Sequence, residues 1–232
     1  MDPQPLTNTH APASCWAIVV AAGSGARFAG DVPKQYLPLG NQRVLDWSLL
    51  AMRRWVSNRL ILVVSADRLH DPEPLAAIVV CGGSTRSASV RAGINALPPD
   101  ADYVLVHDGA RPLVSDAVIG NVISALMSGA DCVVPGVPVS DTVKRVHNGV
   151  VMETLNRAEL VAVQTPQGFA APILRRVHAT GEEATDDAAL VERAGGHTVV
   201  VTGDPLTRKV TTAEDLDWLA TRVGQHSANG AP

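Results

Sequence analysis

The sequence predicts an α/β fold: a Rossmann-like, mostly parallel sheet with helices on both faces and a projecting β-hairpin arm. Three observations carry this expectation. Short, uniformly apolar runs recur at residues 17–20 (AIVV), 60–64 (LILVV), 78–80 (IVV), 103–106 (YVLV), 132–134 (CVV) and 198–201 (TVVV), and their lack of polar alternation marks strands buried on both faces. Helical patterns at 44–55, 89–97, 115–128, 186–194 and 213–223 fall between and after them, several opened by a Ser, Asp or Thr suited to capping. Strand–helix alternation of this kind builds a parallel sheet covered on both sides. One stretch breaks the rhythm: residues 143–146 and 150–155 flank His147, Asn148 and Gly149, and an Asn-Gly step supplies the positive backbone angles of a tight hairpin.

The 232 residues, 46% hydrophobic and 18% charged, suffice for one large domain with a layered core. Its expected bounds are 15–224, between loose polar tails at 1–14 and 225–232, with the arm at 137–160. An isolated two-stranded ribbon is marginal in water, and this one carries Val143, Val146, Val150, Val151 and Met152. A homodimer in which the arms pack on each other is therefore expected, against the alternative of an arm folded onto its own domain. A formal net charge of -4 and 3% aromatics argue against a phosphate-backbone surface or a base-stacking platform, hence against a nucleic-acid partner. The apolar run at 15–22 is too short to span a bilayer, and residues 1–14 lack the cationic start of a signal peptide, so no membrane partner is expected. Cys15, Cys81 and Cys132 show no metal or redox spacing; they read as reduced core thiols of a cytoplasmic protein.

The first strand runs into AAGSGARF (residues 21–28) and then PKQY (33–36). Small residues at Ala21, Ala22, Gly23 and Gly25 let an anion or a base edge approach backbone amides closely. Phe28 stands at the last glycine position of GxGxxG, and no Gly-Lys-Ser/Thr follows, so neither common phosphate fingerprint fits. Arg27 and Lys34 put two cations beside this cradle, suited to a polyphosphate whose charge grows during displacement at phosphorus. The third strand leads into GGSTRSASV (82–90), a second glycine-lined turn with Arg86, Ser87 and Ser89. Because ligands sit at the carboxyl ends of strands in open α/β sheets, both cradles should face one crevice. The fourth strand ends in HDGARP (107–112). Asp108 suits a magnesium ion bridging phosphate oxygens, and Arg111 suits an anionic substrate; an Asp108–Arg111 ion pair closing the loop is the competing reading. His107 is expected to pack or cap a turn, without a catalytic role. In ATDDAALVERAG (184–195), the adjacent Asp186 and Asp187 suit helix capping better than metal binding.

Together with VSDTVKRV (139–146), Arg157, QTPQGF (164–169) and RKVT (208–211), these motifs resemble, in order over residues 16 to about 220, the 2-C-methyl-D-erythritol 4-phosphate cytidylyltransferases. The resemblance implies a magnesium-dependent reaction in which the phosphate of methylerythritol phosphate attacks the α-phosphorus of CTP and releases pyrophosphate, a step of non-mevalonate isoprenoid biosynthesis. It implies that Arg27 and Lys34 stabilise the pentacoordinate transition state. It makes Gly82, Gly83, Ser89 and Asp108 the cytidine and metal-phosphate contacts, with Asp108 at the metal; together with Ala21, Ala22, Gly23, Gly25, Arg27, Lys34, Arg86 and Gly109 they form the expected CTP site. Arg111, Thr142, Arg157 and Lys209 would hold the acceptor, Arg157 and Lys209 counting also as catalytic, and the arm of one subunit would complete the other's site. The chain departs from the family at Gly109, where alanine is usual, and before Lys209, where Thr207 and Arg208 replace Asn and an apolar residue. A ribitol 5-phosphate cytidylyltransferase and a non-catalytic CTP-binding module are the alternative readings.

Overall fold

The structure is a computed structural model that describes residues 11–12, 14–23 and 32–228. In chain order its strands are β1 (Cys15–Val20), β2 (Pro38–Leu39), β3 (Gln42–Arg43), β4 (Leu60–Val64), β5 (Ile78–Cys81), β6 (Tyr103–Asp108), β7 (Cys132–Pro138), β8 (Lys144–His147), β9 (Val150–Thr154), β10 (Val161–Val163), β11 (Gln167–Ala170) and β12 (Thr198–Thr202). Its helices are α1 (Val44–Val56), α2 (Arg86–Asn95), α3 (Asp116–Met127), α4 (Ala171–His178), α5 (Asp187–Arg193) and α6 (Ala213–Ala228).

The main sheet has the order β10-β7-β11-β6-β1-β4-β5, with β12 also pairing with β7. The β6-β1-β4-β5 half is parallel throughout, and β12 runs parallel to β7. Antiparallel β11 is inserted between β6 and β7, and antiparallel β10 lines the far end of β7. The period of two along each strand sorts the core into two layers. Ala17, Val19, Leu60, Leu62 and Leu105 face α1 and α3, packing on Leu45, Leu49, Met52, Ile119 and Val122. Ile18, Ile61, Val63, Val104 and Val106 face the other way, onto Val90, Ile94, Leu174 and Val191 of α2, α4 and α5. A third cluster of Leu39, Val44, Leu113, Val210, Leu219 and Val223 seats α6 on the β2–β3 hairpin.

Several expectations move. Strands β5 and β12 are only partly buried, not buried on both faces. Ala11 is buried and donates its N–H to the Trp55 carbonyl, and the Ser14 carbonyl accepts from Asp102 and Tyr103, so the packed chain begins before residue 15. At the other end α6 continues to Ala228, past the expected boundary at 224. The three cysteines are free, but Cys81 is exposed at the end of β5 and is not a core thiol. Helix α2 starts at Arg86 rather than 89, because the Thr85 hydroxyl caps it by accepting from the Ala88 N–H. The arm forms as a separate β8–β9 ribbon whose turn has positive φ at Asn148 (48°) and Gly149 (80°), the pairing demanded by a two-residue hairpin. Val146, Val150, Val151 and Met152 on it are all more than half exposed.

Candidate active site

The carboxyl ends of β1, β5 and β6 converge on one crevice of about 510 Å³, a size typical of small-ligand sites. Its first wall is Val20, Ala21, Ala22 and Gly23, together with Lys34 and Gln35 from a short 3-10 turn at Lys34–Tyr36. The buried Gln35 amide joins the two segments, donating to the carbonyls of Ala21 (2.7 Å) and Gly23 (2.9 Å). Behind the turn, Tyr36 lies under Arg68 and Arg43, and Arg43 pairs with the buried Glu73 at 2.8 Å. Gln35→Ala removes the amide that donates to both carbonyls, a cost of about 1–3 kcal/mol. A lower denaturant midpoint together with a raised KM for nucleotide is the expected result; an unchanged midpoint contradicts the joining role.

The second wall is Gly83, Ser84, Thr85, Arg86 and Ser89. It can lie against the first because Gly82 has no side chain: a Cβ there falls 2.4 Å from the Ala22 Cβ and 2.8 Å from the Ser89 hydroxyl. The Ser89 hydroxyl accepts from the Gly83 N–H (3.2 Å) and donates to the Thr85 carbonyl (2.9 Å), pinning the turn from the first turn of α2.

At the floor stands Asp108, with Lys209 Nζ 2.7 Å from Oδ2, Arg86 Nε 3.5 Å from Oδ1 and Arg111 Nε 3.6 Å from Oδ2. Burial alone raises a carboxyl's pKa, but Lys209, Arg86 and Arg111 outweigh it and hold Asp108 well below the usual range, so the group stays ionised. The expected Asp108–Arg111 pair is present, as part of this larger cluster. Arg111 also donates to the Thr207 carbonyl at 2.8 Å. Arg86 is fixed from behind by the fully buried Asp187 at 2.7 Å, whose other oxygen lies 3.0 Å from His178 Nε2. Asp186 caps α5, accepting from the Ala189 N–H. The two acidic residues thus divide between capping and a buried ion pair, and among the described residues no three His, Cys, Asp or Glu groups are placed to hold a metal. Asp108 alone fits a hard divalent cation, since Oδ1 has acceptor capacity left beside the more distant Arg86 and phosphate oxygens can supply further ligands.

The family model for 2-C-methyl-D-erythritol 4-phosphate cytidylyltransferase matches residues 15–223. The chain belongs to that family. Among cytidylyltransferases of this name, the Nocardia farcinica protein is 45% identical over 221 residues, covering 91% of this chain and 95% of that one. The Rhodococcus jostii protein is 42% identical over 206 residues, covering 86% and 91%. The crystal structure of the Thermus thermophilus cytidylyltransferase superposes with a TM-score of 0.77 at 31% identity, covering 89% of this chain and 98% of that one. Membership favours the first expected reaction over the ribitol 5-phosphate and non-catalytic alternatives.

The fold of this cytidylyltransferase brings together Ala21, Ala22, Gly23, Lys34, Gly83, Arg86, Ser89, Asp108 and Lys209 as crevice lining. Lys209 takes its place despite the unusual Thr207 and Arg208 before it, because Thr207 is buried and Arg208 instead pairs with Asp215 at 2.6 Å. Gly82 and Gly109 stand behind the walls; a Cβ at Gly109 would meet Leu45 at 2.9 Å. Arg111 reaches the cluster from below. Thr142 and Arg157 are exposed at the arm and do not line the crevice of their own chain. Gly25 and Arg27 lie outside the described residues. Sequence reasoning missed Gln35 and Thr85, and it read Asp187 as a capping carboxylate where the structure pairs it with Arg86. Gln35 had a signal, a polar residue between Lys34 and an aromatic in PKQY; the Asp187–Arg86 pair, 101 positions apart, had none.

Proposed function

We propose that the crevice catalyses cytidylyl transfer from CTP to 2-C-methyl-D-erythritol 4-phosphate by positioning and charge neutralisation alone. A phosphate oxygen of the acceptor attacks the α-phosphorus, the bond to the bridging oxygen of the β-phosphate breaks, and pyrophosphate leaves. The nucleophile is already anionic and needs no base, which agrees with a site built from cations and one ionised carboxylate. Lys34 and the 21–23 and 83–85 segments receive the triphosphate, with Arg27 as the second cation of that segment. Lys209 and Arg111 receive the acceptor phosphate. Asp108 would hold magnesium with the nucleotide's phosphate oxygens, and the ion would supply further charge neutralisation at phosphorus. The observation that carries this reading is the Asp108 carboxylate ringed by Lys209, Arg86 and Arg111 on the floor below Lys34. Incubation with CTP, Mg2+ and each polyol phosphate in turn tests it: pyrophosphate release with methylerythritol phosphate and not with ribitol 5-phosphate is expected, and release with neither defeats it.

The exposed apolar residues Val146, Val150, Val151 and Met152 of the arm support a homodimer in which arms cover each other and Thr142 and Arg157 serve the partner's crevice. Light scattering should give twice the 24.3 kDa chain mass. Mixing Arg157→Ala with Lys34→Ala protein should restore activity, because one of the two sites in a heterodimer is then intact; exchanged heterodimers without recovery contradict shared sites. Three free thiols support a reducing compartment such as the cytoplasm, and among the described residues no helix is long and apolar enough to cross a membrane.

A further inference from the structure

His107 precedes Asp108 in β6, is fully buried, and has both ring nitrogens engaged. Nε2 lies 3.1 Å from the Arg111 carbonyl oxygen, and Nδ1 lies 3.0 Å from the Thr165 hydroxyl. A carbonyl only accepts, so Nε2 carries the proton and donates to it. With the ring proton on Nε2, the bare Nδ1 accepts from the Thr165 O–H. Thr165 Oγ1 then accepts the backbone N–H of Asp108 at 3.1 Å. Every bond in the chain therefore has a fixed direction. Its two ends are the main chain of Asp108 and the main chain of Arg111, which also close their own turn through Arg111 N–H to Asp108 C=O at 3.0 Å. An apolar residue at 107 could fill the same space but would leave the Arg111 carbonyl without this donor and the Thr165 hydroxyl without an acceptor for its proton.

We propose that His107 is a positioning residue for cytidylyl transfer, one imidazole fixing where Asp108 stands relative to Arg111 by holding the backbone of each, with Thr165 as the link on the Asp108 side. The proposal deepens the reading of the crevice given above and rests on its assignment of Asp108 to the nucleotide and Arg111 to the acceptor.

Two substitutions divide the imidazole. His107→Asn places an amide oxygen near the Nδ1 position, where it can accept from Thr165, and abandons the Arg111 carbonyl. His107→Gln places an amide N–H near the Nε2 position and abandons Thr165. Steady-state kinetics of the full chain should show the acceptor KM raised tenfold or more in His107→Asn with the CTP KM within twofold, and the reverse in His107→Gln. Equal movement of both KM values, or of neither, overturns the proposal. If neither variant folds, Thr165→Val should raise the CTP KM about tenfold and Thr165→Ser should restore it; wild-type kinetics in Thr165→Val overturn the link. Asp108→Glu and Arg111→Lys run alongside as references. Unchanged CTP and acceptor KM values in these two defeat the site assignment itself, whereas shifted references beside unmoved His107 variants defeat the positioning role alone.

Discussion

Lys34→Ala lowers kcat by about 10²-fold or more, the scale of losing one preorganised transition-state donor, while the KM for CTP changes by less than tenfold. Lys34, a partly buried residue, stands on a 3-10 turn held in place, since Gln35 ties that turn to the end of β1 and Tyr36 lies beneath Arg68 on its far side. A cation held in place contributes most when charge on the phosphoryl oxygens peaks, because the surroundings do not reorganise to meet it. On the proposed reading, ground-state CTP meets other polar groups along both walls and loses little affinity. Rapid-quench measurement of the single-turnover rate separates this from slowed product release: the fall should appear in the chemical step. A change confined to KM would mean that Lys34 binds ground state and transition state equally, and would return the burden of catalysis to other cations of the site.

What the sequence disclosed and what it concealed divide along the range of the interactions. The central strands were legible because burial on both faces leaves an unbroken apolar run, and the hairpin because Asn148 and Gly149 both need positive φ. The crevice motifs were legible because each follows a strand at its carboxyl end. Strand β11 was not: QGFA carries no period, and its place between β6 and β7 depends on Gly168 fitting under Val122 and Leu126, where a Cβ would fall 2.5 Å and 2.7 Å from their side chains. Helix α4 directly after it went unread although Pro172 stands in its first turn, a position where proline favours helix initiation. The arm shows the converse. Its apolar residues were plain in the sequence, and the single chain leaves them exposed, so the fold of one chain does not account for them.

Asp187→Ala should be the most destabilising single change at the site, by about 3–5 kcal/mol, the usual cost of removing one member of a buried ion pair. The carboxylate has no exposed surface; one oxygen takes Arg86 and the other faces His178. Removing it strands a guanidinium that burial penalises and that Asp187 and Asp108 together keep charged, its pKa held above the ordinary arginine value. Arg86 then has Asp108 as its remaining carboxylate partner among those named in the cluster, and competes there with Lys209 for the group assigned to the nucleotide and its metal. Stability and function should therefore fall together: a lower Tm in thermal unfolding, and a raised CTP KM in protein assayed well below that Tm. Asp187→Asn separates the two effects. It preserves shape and acceptor oxygen but not charge, so a smaller loss of Tm with the same rise in KM indicates that the charge on Asp187 sets where Arg86 points. A Tm within a degree or two of wild type for Asp187→Ala would show instead that water reaches the vacated space and solvates Arg86, making the pair a surface interaction worth under about 1 kcal/mol.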